Sequence, residues 1–407
     1  MRILFLTDNF PPEVNAPAAR TYEHCRQWVK QGAEVTVITC APNFPQGRVF
    51  SGYRNKTYQT ENKDGLRIIR VWSFMTANTG VVKRTLDYVS FACTGFWAGM
   101  FQKADVIIAT SPQFFTAWAG WALAKLKRRP FVFEVRDLWP ESIATVGAVQ
   151  RGVVLRVLEE IELILYRQAA AVVVVTPGLK DNLVYRSIAQ NKVYVISNGV
   201  DNTVFAPRPK DEELVEKLGL ENKFVISFIG THGLAHGLEF IVSCLDELQD
   251  PGVHFLFIGE GAEKLKVRAL AKERGINNCT FLDLVPRNQV PHYISASDAA
   301  LVHLKDREMF QKALPSKMFE AAAMQRPILL GVDGLARELI ETYQAGIFFQ
   351  PENKESFLQA VQRLKEDREL YTACQKGCRR LAEDFDRRKK AEEMYQILQK
   401  VSGSDEG

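Results

Sequence analysis

Two segments of the sequence carry phosphate-binding residue types where a loop enters a helix. In the first, the run 224–229 is followed at once by Gly230, Thr231, His232, Gly233, Leu234, Ala235, His236 and Gly237, then by a helical pattern. Glycines at 230, 233 and 237 let a backbone come close to a pyrophosphate, and the helix start adds N–H donors and a positive dipole. His232 and His236 add donors whose charge is tunable near neutral pH. Turn glycines beside two solvated histidines would give the same letters. The HxxxH spacing also suits a metal, but Gly233 stands where a metalloprotease helix needs Glu, so no metal is expected.

In the second segment, 314–320 (LPSKMFE), Ser316 and Lys317 stand at a helix start. The lysine is a point cation for phosphate, and Glu320, one turn on, can accept from the two vicinal hydroxyls of a ribose. A first-turn acid favoured by the helix dipole explains Glu320 equally well without a ligand.

The first half holds two further candidates. A loop from Asp8 to Ala19 leaves the first strand and enters a helix through Asn15, Ala16 and Pro17, where an anionic or hydroxyl-rich group can meet exposed N–H groups. An ordinary strand-to-helix connection has the same composition. The run 133–142 (FEVRDLWPES) puts Arg136, Asp137, Trp139 and Glu141 just past a buried strand, a place for catalysis or acceptor recognition. Arg136 and Asp137 alternatively form a pair that only caps the sheet. A GxGxxG dinucleotide fingerprint is absent, and no carboxylates are paired as a glycosidase pairs them.

Residues of these types need strands that end at one edge. Seven β-branched-rich runs from 2–6 to 192–196 alternate with helical stretches, and six more from 224–229 to 347–349 repeat the pattern after the Pro-rich joint 205–209. The expected fold class is α/β, with two doubly wound Rossmann-like domains facing each other across a cleft and ligands at the carboxyl ends of their strands. Expected boundaries are 1–203 and 204–380, with 381–407 a helical segment returning to the first domain.

Composition sets the outer limits. With 407 residues, 46% hydrophobic and 25% charged, the chain suits two or three packed domains and excludes disordered and disulfide-stapled classes. Residues 1–200 hold 24 Lys and Arg against 15 Asp and Glu, so the first half is basic and the second half carries the acidic excess. That field suits an anionic partner such as a phosphate-bearing molecule or an acidic membrane face. The seven scattered cysteines read as reduced thiols. The opening apolar run is too short for a signal peptide, and no stretch is long enough to cross a bilayer. The uncharged segment 88–102, rich in Phe and Trp and flanked by Lys83, Arg84 and Lys103, fits either an anionic leaflet or a buried core helix.

Taken in order, PPE at 11–13, SNGVD at 197–201, the glycine loop at 230–237, GEG at 259–261 and PSKMFE ahead of Arg326 and Pro327 are a specific combination. The sequence resembles the GT-B retaining glycosyltransferases of family 4 over essentially its whole length. Within that family, TDNFPPEVNAPAARTYEH, CAPNFPQG, GYRNK and EVRDLWPES are similar to the WbuB-like branch, N-acetyl-L-fucosamine transferases of surface-polysaccharide assembly.

The resemblance implies a nucleotide-sugar donor, UDP-linked, in the second domain and a polyprenyl-diphosphate-linked saccharide acceptor at the first. It implies transfer with retention and without metal or other cofactor, no nucleic-acid partner, and a cytoplasmic protein peripheral to the inner membrane face. Glu320 matches the family's ribose-binding Glu, while the Glu expected seven residues earlier falls at Lys312. The usual diphosphate Arg and Lys fall at Thr231 and His236, so charge is expected from His236 and Lys317 instead. The His of the usual HD pair falls at Arg136, with Asp137 as the Asp, and an obligate cation there can hold a phosphate or anionic acceptor group. The expected site residues are Arg136, Asp137, His236, Lys317 and Glu320 for catalysis; Gly230, Thr231, His232, Gly233, Gly259, Gly261 and Ser316 join them around the donor; Asn15, Ala16, Pro17 and Glu141 face the acceptor. A nucleotide-sugar 2-epimerase of the same architecture, or a non-catalytic binding module, stays open at this point.

Overall fold

The computed structural model describes residues 1–403 apart from 14, 45, 77–80, 112, 138–152 and 249; of 16, 81, 82, 153–155 and 309 it describes the backbone alone. The chain divides into two compact units, Met1–Ser197 with Arg387–Gly407, and Asn198–Asp386.

Unit 1 is built on eight strands, β1 (Arg2–Leu6), β2 (Glu34–Cys40), β3 (Tyr58–Lys63), β4 (Leu66–Val71), β5 (Val106–Thr110), β6 (Phe131–Val135), β7 (Ala171–Val174) and β8 (Val193–Val195). Their order is β3-β4-β2-β1-β5-β6-β7-β8. Every pair is parallel except β3 with β4. Helices cover both faces: Ile3 and Phe5 pack with Trp28 and Leu398 on one side, Leu4 and Leu6 with Phe91 and Leu123 on the other. That double burial is why β5 and β7 read as nearly continuous apolar runs. The helix Arg387–Ser402 belongs to this unit, where the buried Trp28 indole N–H donates to the Ala391 carbonyl at 2.8 Å and Arg387 pairs with Glu23.

The segment 88–102 falls in the helix Val81–Met100 and the turn after it. One stripe is core: Phe91 is buried, and a side chain at Gly99 would press on Leu123. The opposite stripe is not, with Trp97 61% and Phe101 77% exposed. The two expectations for this segment therefore each describe one side of it.

Unit 2 has six parallel strands, β9 (Phe224–Ile229), β10 (Val253–Ile258), β11 (Cys279–Leu282), β12 (Ala299–His303), β13 (Ile328–Gly331) and β14 (Gly346–Phe348). Their order is β11-β10-β9-β12-β13-β14. Strand order reverses between β1 and β5 in unit 1 and between β9 and β12 in unit 2. In open sheets of this kind those reversals open crevices beyond the strand ends.

Candidate active site

In unit 2 the crevice beside β9 is formed by the loop Gly230–Gly237 and by the helix Ser316–Ala323, which follows β12. Lys317, on the first turn of that helix, lays its ammonium 3.6 Å from the centre of the Phe228 ring, at the end of β9. A side chain at Gly230 would put its Cβ 3.3 Å from the Lys317 Nζ, so a glycine there leaves the ammonium room. The Nζ is buried without a hydrogen-bond partner, and burial pushes its pKa down to about 7 against the attraction of Glu320. An unpartnered amine in so dry a place is ready for an anion. Ser316, half-buried, opens the same helix, and Glu320 follows Lys317 one turn on.

The histidines correct one expectation. Nδ1 of His303 donates to the His236 carbonyl at 2.7 Å, and Nδ1 of His236 donates to the His303 carbonyl at 3.3 Å. A carbonyl only accepts, so both Nδ1 atoms carry the proton and each neutral ring presents a bare Nε2. Burial, with the Lys317 charge behind it, pushes His236 down to about 3. Burial together with Lys264 and Lys317 pushes His232 down to about 4. At neutral pH His236 is therefore an acceptor and not a cation, and positive charge at this crevice falls to Lys317. His303, stacked between Phe240 and Phe349, was not singled out in the sequence because it reads as the last residue of a strand.

The remaining glycines hold loops together. The His232 N–H donates to the Glu260 carbonyl at 2.8 Å and the Glu263 N–H to the His232 carbonyl at 2.9 Å. A Cβ at Gly259 would lie 1.9 Å from the Gly230 carbonyl oxygen, and one at Gly261 2.4 Å from that of His232. Gly259 and Gly261 thus let two loops lie against each other, and they shape the loop Gly230–Gly237 indirectly. Gly233 precedes a single 3₁₀ turn, Leu234–His236, and Thr231 is exposed.

In unit 1, Asn15 caps the helix Ala16–Lys30: its side-chain oxygen accepts from the Ala18 N–H at 2.9 Å and its amide donates to Asn9 at 2.6 Å. Pro17 and Asn15 line a cavity of about 270 Å³ beyond the end of β1. Of Ala16 only the backbone is described, and Glu141 lies outside the described residues, as does Trp139. Arg136 and Asp137 follow β6, and both backbone N–H groups point to the Ser111 hydroxyl, at 2.8 and 3.3 Å. The Arg136 Nε and one Nη are buried without partners, and burial lowers its pKa to about 10 against the pull of Glu134, so it stays charged. Glu134 also binds Arg20 at 2.9 Å, and the two arginines hold its carboxyl below the usual range despite burial.

The same cavity holds three acids that sequence reasoning passed over as a cluster. Asp8 accepts from Asn9 at 2.7 Å and from Gln113, and burial pushes its pKa up to about 7. Glu13 and Asp87 repel it further; Asp87 is itself pushed up to about 6, by burial first, with Arg84 opposing. Among the described residues, no three His, Cys, Asp or Glu side chains are grouped to share a metal ion.

Two family models cover most of the chain: glycosyl transferase 4-like domain over residues 15–199 and glycosyl transferases group 1 over residues 210–381. The chain is 25% identical over 373 residues to a protein of Escherichia coli (strain K12) assigned to colanic acid biosynthesis as glycosyl transferase WcaI, covering 89% of this chain and 91% of that one. In fold it is similar to sucrose-phosphate synthase from Thermosynechococcus elongatus, with a TM-score of 0.78 at 15% identity over the full length of both. It is also similar to Anabaena HepE in complex with UDP-glucose, with a TM-score of 0.71 at 17% identity over 98% of this chain and 100% of that one. The two parallel-sheet units have the GT-B architecture.

Proposed function

Because the chain belongs to the glycosyltransferases, 4-like in its first half and group 1 in its second, we propose that it is a retaining sugar transferase of surface-polysaccharide assembly. Unit 2 takes a nucleotide-sugar donor, UDP-linked, carrying N-acetyl-L-fucosamine or a related amino sugar. Unit 1 takes a lipid-diphosphate-linked saccharide. The bond from the donor's anomeric carbon to its phosphate oxygen breaks, and the acceptor oxygen bonds to that carbon on the same face. The acceptor's proton goes to the departing diphosphate, so no resident metal or further cofactor enters the reaction.

The single observation that carries this reading is the buried, unpartnered Lys317 ammonium beside Gly230 at the strand-order reversal of unit 2. Charge that grows on a leaving diphosphate is best stabilised by groups already fixed and dry, and Lys317 with the first-turn amides of its helix meets that need. Glu320 is placed to accept from the ribose. The colanic acid assignment of the E. coli relative and the UDP-glucose held by HepE support the polysaccharide and the nucleotide.

Trp97 and Phe101, with Lys103 exposed two residues on and Lys125 exposed on the helix Phe114–Lys127 that packs on this one, support peripheral contact with an anionic leaflet. Among the described residues no helix is long and apolar enough to cross a membrane. The test is incubation with a panel of UDP- and GDP-sugars and an undecaprenyl-diphosphate saccharide, read by mass spectrometry. A gain of one sugar on the lipid-linked product supports the reading; conversion of the nucleotide sugar without acceptor to an isomer of equal mass, separated by chromatography before the mass spectrometer, would replace it by epimerisation.

A further inference from the structure

The cavity of unit 1 is acidic, although the half of the chain that builds it is basic. Asp8 stands at the carboxyl end of β1 and Gln113 just past β5, where the strand order reverses. Glu13 and Phe44 come from the loops after β1 and β2, and Asp87 and Tyr88 from the helix Val81–Met100. Among the described lining residues Arg84 is the cation, and its guanidinium binds the Tyr88 hydroxyl at 2.8 and 3.3 Å.

Two of the lining residues each carry a buried oxygen with no partner. Glu13 is 4% exposed; its Oε1 accepts from the N–H groups of Asn43 and Phe44, both at 2.8 Å, and its Oε2 is buried without a donor. Gln113 is 5% exposed; its amide nitrogen donates to Asp8, and its Oε1 likewise has no donor. Both bare atoms are acceptors, and a buried acceptor left alone is costly. What completes them must bring N–H or O–H groups. A phosphate or carboxylate brings only lone pairs and adds negative charge to a site where, beyond burial, Glu13 and Asp87 already raise Asp8 and Glu13 raises Asp87. The volume, about 270 Å³, is at the small end of ligand clefts and suits one sugar ring, with the Phe44 ring, 41% exposed, to meet its C–H face.

We propose that this cavity binds the sugar ring that is extended, that this ring is an uncharged polyol, and that Glu13 rejects a phosphate- or carboxylate-bearing ring. The proposal rests on the reading of unit 1 as the acceptor side and adds the class of sugar. A lipid diphosphate, if present, lies outside this cavity.

The test is saturation-transfer NMR on the full chain without nucleotide, with methyl glycosides of neutral hexoses, a methyl glucuronoside and a hexose 6-phosphate as probes. At least one neutral glycoside should bind, with both anionic sugars about tenfold weaker or worse. Glu13→Gln keeps an oxygen for Asn43 and Phe44 but puts a donor where the bare acceptor is. It should weaken the neutral glycoside about tenfold and narrow its advantage over the glucuronoside. Asp87→Asn, at a half-buried position, should narrow the same gap without touching the Glu13 hydrogen bonds. Equal binding of neutral and anionic sugars, no binding of any neutral glycoside, or an unchanged preference in both variants would overturn the proposal. Binding without transfer would refute the proposed reaction and leave this inference; efficient transfer to an anionic ring would do the reverse.

Discussion

Lys317→Met separates the two things the ammonium does. In the free protein its pKa stands at about 7 instead of 10.5, so keeping it charged costs about 5 kcal/mol. Between those two pH values the unfolded chain binds a proton that the folded chain does not, so this group makes stability rise with pH. Methionine fills the same space over Phe228 without the penalty, and the variant should lose that rise while keeping or gaining stability at neutral pH. Function should move the other way. A diphosphate beside the ammonium raises its pKa. At pH 8, where about nine-tenths of the free protein has lost the proton, nucleotide binding should therefore take up close to one proton. Titration calorimetry with UDP or GDP in buffers of different ionisation enthalpy measures that uptake, which the methionine variant should abolish. Turnover should fall about 10²–10³-fold, as for loss of one preorganised charge donor. Binding at pH 8 without proton uptake, or unchanged uptake in the variant, would refute the placement of the diphosphate at Lys317.

Asp8 gives the opposite pH dependence. Its pKa is raised from 3.8 to about 7, so its contribution to stability is present at low pH and is lost as pH rises from about 4 to about 7. Asp8→Asn should therefore melt higher relative to the parent at about pH 8 than at about pH 5 by scanning fluorimetry, with Gln113 turning its amide to meet it. Gly261→Ala would press a Cβ onto the His232 backbone at a positive φ of 157°, and should cost about 2–4 kcal/mol in urea unfolding. A loss no larger than that at a surface alanine control would show that the two loops do not pack as described. Trp97→Ala with Phe101→Ala should remove sedimentation with anionic vesicles, since each exposed ring offers about 1.5–3 kcal/mol on burial. Undiminished sedimentation would place any membrane contact elsewhere.

The parts of the fold legible in sequence were those buried on two faces. β1, β5, β9 and β12 are almost wholly apolar and could be read directly. β3, YQTENK, could not: it is an edge strand with no core face, and only its antiparallel pairing with β4 makes it a strand. The crevice of unit 2 was legible because Gly230 and Lys317 each lie in a local motif that enters a helix. The acidic cavity was not, since Asp8, Glu13 and Asp87 are ordinary loop and helix acids until the neighbouring β1 and β5 bring them to one mouth. The neutrality of His236 comes from burial and from the Lys317 charge, and its tautomer from a backbone carbonyl 67 residues away, none of which a local pattern contains.

The most direct test of the account is the anomeric configuration of the product. With the active donor identified, the extended lipid-linked saccharide is isolated and its new glycosidic proton coupling is measured by NMR. Sugar transfer should require acceptor, keep the donor's anomeric configuration and be undiminished by EDTA. An inverted linkage would contradict the proposed mechanism, and conversion of the nucleotide sugar with no acceptor present would contradict the transferase itself.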